Sequence, residues 1–224
     1  MNETGAAARD PHAGQRILAA GVPLAEARAA MMLVHGRGAT AESILQLARE
    51  LDRPGFAYLA PQAAGHTWYP YSFLAPIPQN EPYLGSALRL LGAVVEHVGG
   101  AGVPAERLVL LGFSQGACLT LEFTARNARR YGGVAALTGG LIGPDGTPRD
   151  YPGSLEGTPV FIGSADPDPH IPVSRVHESA RVLEGMGAEV DARIYPGMGH
   201  TVNQDELERV RALMDRVLAG AGAA

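Results

Sequence analysis

The chain has almost no cysteine, no long apolar run and no excess of positive charge. Its single cysteine, Cys118, excludes an intrachain disulfide. No hydrophobic run approaches the roughly 20 residues that a membrane-spanning helix needs. Lys and Arg number 18 against 23 Asp and Glu, and no basic cluster offsets the formal net charge of −5. This balance argues against binding to nucleic acid or to an anionic membrane. These absences agree with a cytoplasmic protein, and that is the location we predict.

The composition favours one globular domain. Residues 1–14 are polar and alanine-rich, without the basic start and apolar segment of a signal peptide, so we expect a flexible N-terminal tail. With 46% hydrophobic and 18% charged residues, the rest of the chain can build a sizeable core. Internal repeats and linkers are absent, which predicts a single domain over residues 15–224. The oligomeric state stays open, with a homodimer as one option.

Short apolar runs alternate with amphipathic segments from Ala29 onward. The runs that we predict as strands are 29–34, 56–60, 107–111, 133–137, 159–162 and 190–194. One amphipathic segment carries apolar residues every three or four positions, which predicts a helix: Leu84, Leu88, Leu91, Val95 and Val98. The alternation predicts the α/β class, a mostly parallel central sheet with helices on both faces. Ligands of such sheets bind at the carboxyl ends of the strands.

One of these strand ends carries a serine between two glycines, Gly112-Phe-Ser114-Gln-Gly116. A G-x-S-x-G pattern between a buried strand and a helix is typical of a nucleophile elbow, a sharp turn that lifts the serine hydroxyl above the sheet. Glycines flank the serine because side chains there would crowd the crossing of strand and helix. We predict Ser114 as a catalytic nucleophile.

A serine nucleophile needs a base and an acid, which in this arrangement follow it in the order acid, then histidine. His200 lies in a glycine-rich loop after the last predicted strand, so we predict it as the base. We expect His170 either to line the mouth of the pocket or to occupy an ordinary position in its loop. For the acid, Asp166 is favoured over Asp168 on its spacing from the end of the preceding strand, and Asp168 stays open.

The oxyanion of an acyl-transfer reaction needs backbone N–H donors. One is expected from Gln115 at the start of the helix, and the other from the amide of Arg37 in the loop His35-Gly36-Arg37-Gly38. Gly36 is expected to turn its backbone toward the substrate. Metal-ligand spacing, a phosphate-binding glycine loop and a dinucleotide fingerprint are all missing, so we predict no metal and no cofactor.

The segment from Pro61 to Pro82 is long and rich in aromatic residues. Long loops without regular structure inside a compact domain are usually functional. We therefore expect this loop to form a wall of an apolar pocket, with Trp68 nearest the site. In the alternative, its aromatic residues pack the loop onto the core.

These motifs together resemble the phospholipase/carboxylesterase family, which includes the acyl-protein thioesterases. The matching segments are Leu33-Val-His-Gly-Arg-Gly38, Gly112-Phe-Ser-Gln-Gly116, Gly163-Ser-Ala-Asp-Pro167 and Tyr195-Pro-Gly-Met-Gly-His200. The resemblance implies an α/β-hydrolase fold, no cofactor and a serine carboxylesterase that acts on a small-molecule ester, with thioesters and lysophospholipids as further options. Carried over by position, Ser114, Asp166 and His200 would form the triad, with Arg37 and Gln115 as oxyanion donors.

The chain departs from the family pattern at two places. The segment that carries the acid, Asp166-Pro-Asp-Pro-His-Ile-Pro172, is two residues longer, and Arg37 stands where the thioesterases usually carry an apolar residue. The second departure leaves lactones open as substrates, as for the dienelactone hydrolases, although those use a cysteine in place of Ser114. A hydrolase-fold protein that binds a small ligand without turnover is the alternative of a different class.

Overall fold

The computed structural model describes residues 10–220, which form a seven-stranded sheet flanked by five helices. The strands are β1 (Ile17–Gly21), β2 (Ala29–Val34), β3 (Phe56–Pro61), β4 (Leu108–Phe113), β5 (Gly133–Leu137), β6 (Pro159–Asp166) and β7 (Glu189–Pro196). The helices are α1 (Ala41–Leu51), α2 (Tyr83–Gly100), α3 (Gln115–Arg126), α4 (Val173–Gly185) and α5 (Gln204–Gly220). Within residues 10–220, no helix is long and apolar enough to span a membrane.

The sheet has the order β1-β3-β2-β4-β5-β6-β7, and every pair is parallel except β1 with β3. Alternate residues of β2 enter two separate hydrophobic cores. Ala30 and Met32 join the core shared with α2, α3 and α4, whereas Met31 and Leu33 join the core shared with α1 and α5. Both faces of the strand are buried, which explains why it is continuously apolar. The predicted parallel sheet with helices on both faces is confirmed.

Helix α1 shows how the local sequence sets a helix start. The Oγ1 of Thr40 accepts a hydrogen bond from the N–H of Ser43, and the Ser43 hydroxyl accepts one from the N–H of Thr40. This reciprocal capping satisfies two amides that lack partners inside the helix. Ile44 and Leu51 then face the core. Thr40 thus caps a helix that ends at Leu51.

The edge strand β1 has no counterpart among the predicted strands. Its residues, Ile-Leu-Ala-Ala-Gly, are mostly exposed and show no apolar alternation, so only its antiparallel pairing with β3 makes it a strand. Strand β6 also runs longer than predicted, to Asp166 instead of residue 162, because pairing with β7 continues to the register of Asp166 with Pro196. The end of β6 therefore lies four residues further along the chain.

The prediction of a flexible tail is wrong for residues 10–14, and residues 1–9 lie outside the described part of the chain. The His12 side chain is fully buried. Its Nδ1 accepts a hydrogen bond of 3.0 Å from the N–H of Ala64, and its Nε2 donates one of 3.0 Å to the carbonyl of Trp68. The His12 N–H donates to the hydroxyl of Ser86 in α2. Residues 10–14 thus connect the loop from Pro61 to Pro82, the aromatic loop, to α2. These contacts form only in the folded chain.

Candidate active site

Ser114 occupies the turn between β4 and α3 in a backbone conformation that is rare for a residue with a side chain, φ 55° and ψ −119°. Its N–H donates a 2.9 Å hydrogen bond to the carbonyl of Leu137 in β5. A Cβ on Gly112 would lie 2.3 Å from the carbonyl oxygen of Gly116, and one on Gly116 would lie 2.1 Å from that of Val34. Both glycines are therefore sterically required, and together they hold the serine at the edge of the sheet.

His200 lies beside this serine. In the loop after β7, Gly197 and Gly199 precede the histidine and adopt positive φ values of 70° and 76°. Its Nε2 is 2.9 Å from the Oγ of Ser114, and its Nδ1 is 2.9 Å from the Oδ2 of Asp168. The histidine side chain is 21% exposed and the Asp168 side chain is 0% exposed. The arrangement is a relay of serine hydroxyl, imidazole and buried carboxylate.

The preference for Asp166 as the acid is corrected by this geometry. Asp166 is the exposed last residue of β6, and its carbonyl oxygen accepts a hydrogen bond from the N–H of Gly197. The carboxylate that meets His200 belongs to Asp168. The physical reason is the length of β6: because the strand continues to Asp166, the turn that reaches the histidine loop begins only after it. The carboxylate that contacts His200 therefore lies two positions later than the preferred residue.

Hydrogen bonds hold the Asp168 carboxylate in its charged form. Its Oδ1 accepts from the N–H of His170 at 2.8 Å and from the N–H of Ile171 at 2.9 Å, and its Oδ2 faces the His200 ring. Burial alone would raise the pKa of this carboxyl, but these three donors together lower the pKa below its usual value. Asp168 is thus suited to orient the ring and to stabilise it when it becomes charged.

The expected oxyanion loop lies against the serine. A Cβ on Gly36 would approach the Cβ of Ser114 to 3.4 Å, so the backbone of this loop passes close to the nucleophile. Gln115 is the first residue of α3, where the amides have no acceptor within the helix and attract negative charge. The N–H groups of Arg37 and Gln115 therefore belong to the two segments that flank the hydroxyl.

The side chains of Arg37 and Gln115 have a role that sequence reasoning missed. The Arg37 guanidinium donates to the Oγ1 of Thr67 at 3.0 Å and to the carbonyls of Pro70 and Tyr71 at 2.9 and 2.7 Å. The Gln115 amide accepts from the N–H of residue 68 at 3.0 Å and donates to the carbonyl of residue 69 at 2.8 Å. Both side chains thus anchor the aromatic loop beside the serine.

His35 is a further site residue that the sequence did not single out. The ring is fully buried; its Nδ1 donates a 2.8 Å hydrogen bond to the carbonyl of Gly36, and its Nε2 accepts one of 3.1 Å from the N–H of Ala63. Burial lowers the pKa of His35, which favours the neutral ring that these two bonds require. The imidazole thereby fixes the peptide that precedes Arg37. In the sequence, the signal for this role of His35 was its position directly before Gly36.

Trp68 does not line the pocket, so that prediction is wrong. The side chain is fully buried, its ring lies 4.8 Å from that of His35 between centroids, and its Nε1 donates to the His35 carbonyl at 2.8 Å. Other residues of the aromatic loop, among them Tyr69, Tyr71 and Phe73, line a cavity of about 670 Å³ around Ser114. The two predictions for the loop thus apply to different residues. Trp68 packs the loop onto the core, and its neighbours form the wall of the cavity.

A buried carboxyl lies behind the histidine loop. Glu206 in α5 is 0% exposed and occupies the space that Gly163 leaves free, since a Cβ there would lie 2.1 Å from its Oε1. Its Oε2 accepts from the N–H of Asn203, whose Oδ1 accepts from the N–H of Glu206, both at 2.9 Å. This reciprocal pair caps α5 and holds the end of the loop that carries His200. Burial raises the pKa of Glu206 to about 7, from a usual 4.5.

Replacing Glu206 by glutamine is expected to change the pH dependence of stability. The raised pKa means that the folded chain holds this proton more tightly than the unfolded chain. The stability that the protonated Glu206 adds to the folded chain is therefore complete below pH ~4.5 and lost as the pH rises through ~7. Relative to Glu206→Gln, the wild type should lose about 3 kcal/mol of unfolding free energy between pH 4.5 and 8. Urea unfolding across this range measures it, with exposed Glu208→Gln as control. A constant difference between wild type and Glu206→Gln would contradict the expectation.

No metal site accompanies the relay: residues 10–220 contain no group of three or more His, Cys, Asp or Glu side chains placed to hold a metal ion. The lone Cys118 lies at the cavity, but burial raises the pKa of its thiol to about 12, so it stays protonated.

The parallel sheet, the serine elbow and the order of acid and histidine define an α/β-hydrolase. A sequence profile of the Phospholipase/Carboxylesterase family matches residues 19–218, and the chain belongs to this family. The resemblance noted in the sequence is thus confirmed. A solved phospholipase/carboxylesterase from Dyadobacter fermentans is 50% identical, with a TM-score of 0.85 over 90% of this chain and 96% of that one.

Two curated relatives match over shorter stretches. Acyl-protein thioesterase 1 of Gibberella zeae is 34% identical over 121 residues, which are 53% of this chain and 51% of the relative. Carboxylesterase SOBER1 of Arabidopsis thaliana is 24% identical over 143 residues, 64% of this chain and 63% of the relative. The matched part of the chain thus spans about half of the first relative and under two thirds of the second.

Proposed function

We propose that this protein is a serine carboxylesterase that hydrolyses esters through an acyl-enzyme on Ser114. The observation that carries the proposal is the 2.9 Å contact from the Oγ of Ser114 to His200, continued at 2.9 Å to Asp168. A hydroxyl becomes nucleophilic when a base at this distance takes its proton, and the buried carboxylate holds the ring in the tautomer that can do so. The names of the relatives, carboxylesterases and acyl-protein thioesterases, support the same class of reaction.

The reaction would proceed in two halves. In the first, the Ser114 Oγ attacks the ester carbonyl while the Nε2 of His200 takes the serine proton. The N–H groups of Gln115 and Arg37 stabilise the oxyanion. His200 then gives the proton to the leaving alcohol, and the acyl group stays on the serine. In the second half, His200 takes a proton from water, which attacks the acyl-enzyme; His200 then returns the proton to the Ser114 Oγ as the acid leaves. A thioester would follow the same course with a thiol as the leaving group.

The cavity favours a substrate of modest size. A volume of about 670 Å³ around Ser114 lies within the ordinary range for small-molecule sites. Its walls are largely apolar, with Phe73, Leu74, Phe113 and Ile171 among the lining side chains. A small ester therefore fits the site. The cytoplasmic location remains a prediction from the sequence, and the oligomeric state stays open.

A fluorophosphonate probe tests whether the serine is activated. We expect labelling of one residue per chain, at Ser114, because the probe reacts with a serine whose proton is removed by a neighbouring base. His200→Gln should slow the labelling by roughly a thousandfold or more, since the base is lost. His177→Gln, a change at an exposed histidine of α4, is the matched control and should label at the wild-type rate. An unlabelled Ser114 would favour a protein that binds its ligand without turnover.

A further inference from the structure

We propose that the site selects esters whose acyl part carries a free carboxylate, which the guanidinium of Arg37 binds. This inference rests on the proposed esterase activity and names its class of substrate. Three features support it: the cavity lining has no acidic side chain, hydrogen bonds hold the Arg37 guanidinium, and the loop that carries Arg37 follows the strand next to β4.

The cavity around Ser114 lacks acidic side chains. Its lining residues include Arg37, His170 and His200, but no Asp or Glu. The nearest carboxylate of the relay, Asp168, has a side chain that is 0% exposed and hydrogen-bonded at both oxygens. Arg37 is thus the charged side chain of the lining, so the lining is positive although the whole chain has a net charge of −5. A cavity lined by one sign of charge attracts ligands of the opposite sign.

Arg37 is held in place by groups that do not neutralise it. Its three hydrogen bonds go to a hydroxyl and two carbonyls, on Thr67, Pro70 and Tyr71, and the contacts of residues 10–220 include no ion pair for it. Three of the five guanidinium N–H groups are used, which leaves two for a ligand. Because the side chain is already fixed, little rotamer entropy is lost when a carboxylate binds. A guanidinium in this state is suited to bind an anion.

The sheet order places Arg37 on one side of the nucleophile. Its loop follows β2, which pairs directly with β4, the strand that ends at Ser114. His170 follows β6, on the other side of β4, and its ring lies 4.9 Å from that of His200 between centroids. An acyl chain that extends from Ser114 toward the aromatic loop therefore meets Arg37. A dicarboxylic monoester bound in this direction would present its second carboxylate to Arg37.

Two p-nitrophenyl esters of equal acyl length test the inference: the hexanoate, which is neutral, and the monoester of adipic acid, which ends in a carboxylate. The readout is the ratio of kcat/KM for the adipate ester to that for the hexanoate ester. We expect a ratio of about ten or more for the wild type, because a charge-assisted hydrogen bond between the substrate carboxylate and Arg37 contributes about that factor. Arg37→Gln, which keeps the backbone amide, should lower the ratio about tenfold. Any loss common to both esters cancels in the ratio.

Arg16→Gln is the matched control, because Arg16 is an exposed arginine paired with Glu42 away from the cavity, and it should keep the wild-type ratio. Sodium chloride at about 0.5 M should lower the wild-type ratio by screening. A wild-type ratio near one, or a ratio that Arg37→Gln leaves unchanged, would overturn the inference while the esterase activity stands. A wild type that hydrolyses neither ester would instead count against the proposed function.

Discussion

Replacing Ser114 by alanine is expected to lower kcat for a short p-nitrophenyl ester by about a millionfold, the loss seen when the nucleophile of a comparable triad is removed. The Oγ that lies 2.9 Å from His200 is the only atom taken away. Without it no acyl-enzyme can form, and only the oxyanion donors and substrate binding remain to assist water. Steady-state hydrolysis monitored by release of p-nitrophenol measures the change.

The fold should survive this substitution. Alanine keeps the Cβ, so the elbow at φ 55° is neither relieved nor made worse, and the N–H bond to Leu137 belongs to the backbone. Ser174→Ala, a change at an exposed serine of α4, is the control for activity and for the urea midpoint. If Ser114→Ala kept most of the activity with an unchanged midpoint, Ser114 would not be the nucleophile.

Replacing Asp168 by asparagine is expected to lower kcat by about ten-thousandfold, the loss found when the acid of a serine triad is changed in this way. The Oδ1 can still accept from the amides of His170 and Ile171, which leaves the Nδ2 facing His200. An NH₂ group there donates to the ring Nδ1 and so moves the ring proton to Nε2. In that tautomer His200 cannot take the proton of Ser114.

Asp166→Asn is the matched comparison, two residues earlier in the same segment. Its exposed side chain belongs to the last residue of β6, and its carbonyl bond to Gly197 does not involve the carboxylate. We expect kcat to fall less than threefold, as for a surface change away from the site. A larger loss in Asp166→Asn than in Asp168→Asn would return the role of the acid to Asp166. Hydrolysis of the same p-nitrophenyl ester serves both variants.

The elbow could be predicted from sequence because its cause is local. Gly112 and Gly116 are needed within four positions of each other, where strand and helix cross, and any Cβ would collide with backbone. The buried strands were equally predictable, since continuous apolar runs such as β2 reflect burial on both faces. The capped start of α1 at Thr40 is local as well. Each of these features depends on residues that are neighbours in the chain.

The features that sequence reasoning missed depend on distant contacts. Strand β1 is a strand only because β3 pairs with it, and His12 is ordered only because Trp68, Ala64 and α2 surround it. Trp68 was expected in the pocket, but its neighbour His35 offered the indole N–H a carbonyl inside the core. None of these partners can be read from spacing along the chain.

The chain alone was enough to place the serine, the histidine and the parallel sheet, because glycine sterics and apolar runs act over a few residues. Only the tertiary structure decided which carboxylate reaches His200. That choice depends on how far β6 pairs with β7 before the chain turns, and thus on contacts between residues about 30 positions apart. The same is true of Arg37, whose side chain is held beside the cavity because the carbonyls of Pro70 and Tyr71 accept hydrogen bonds from it.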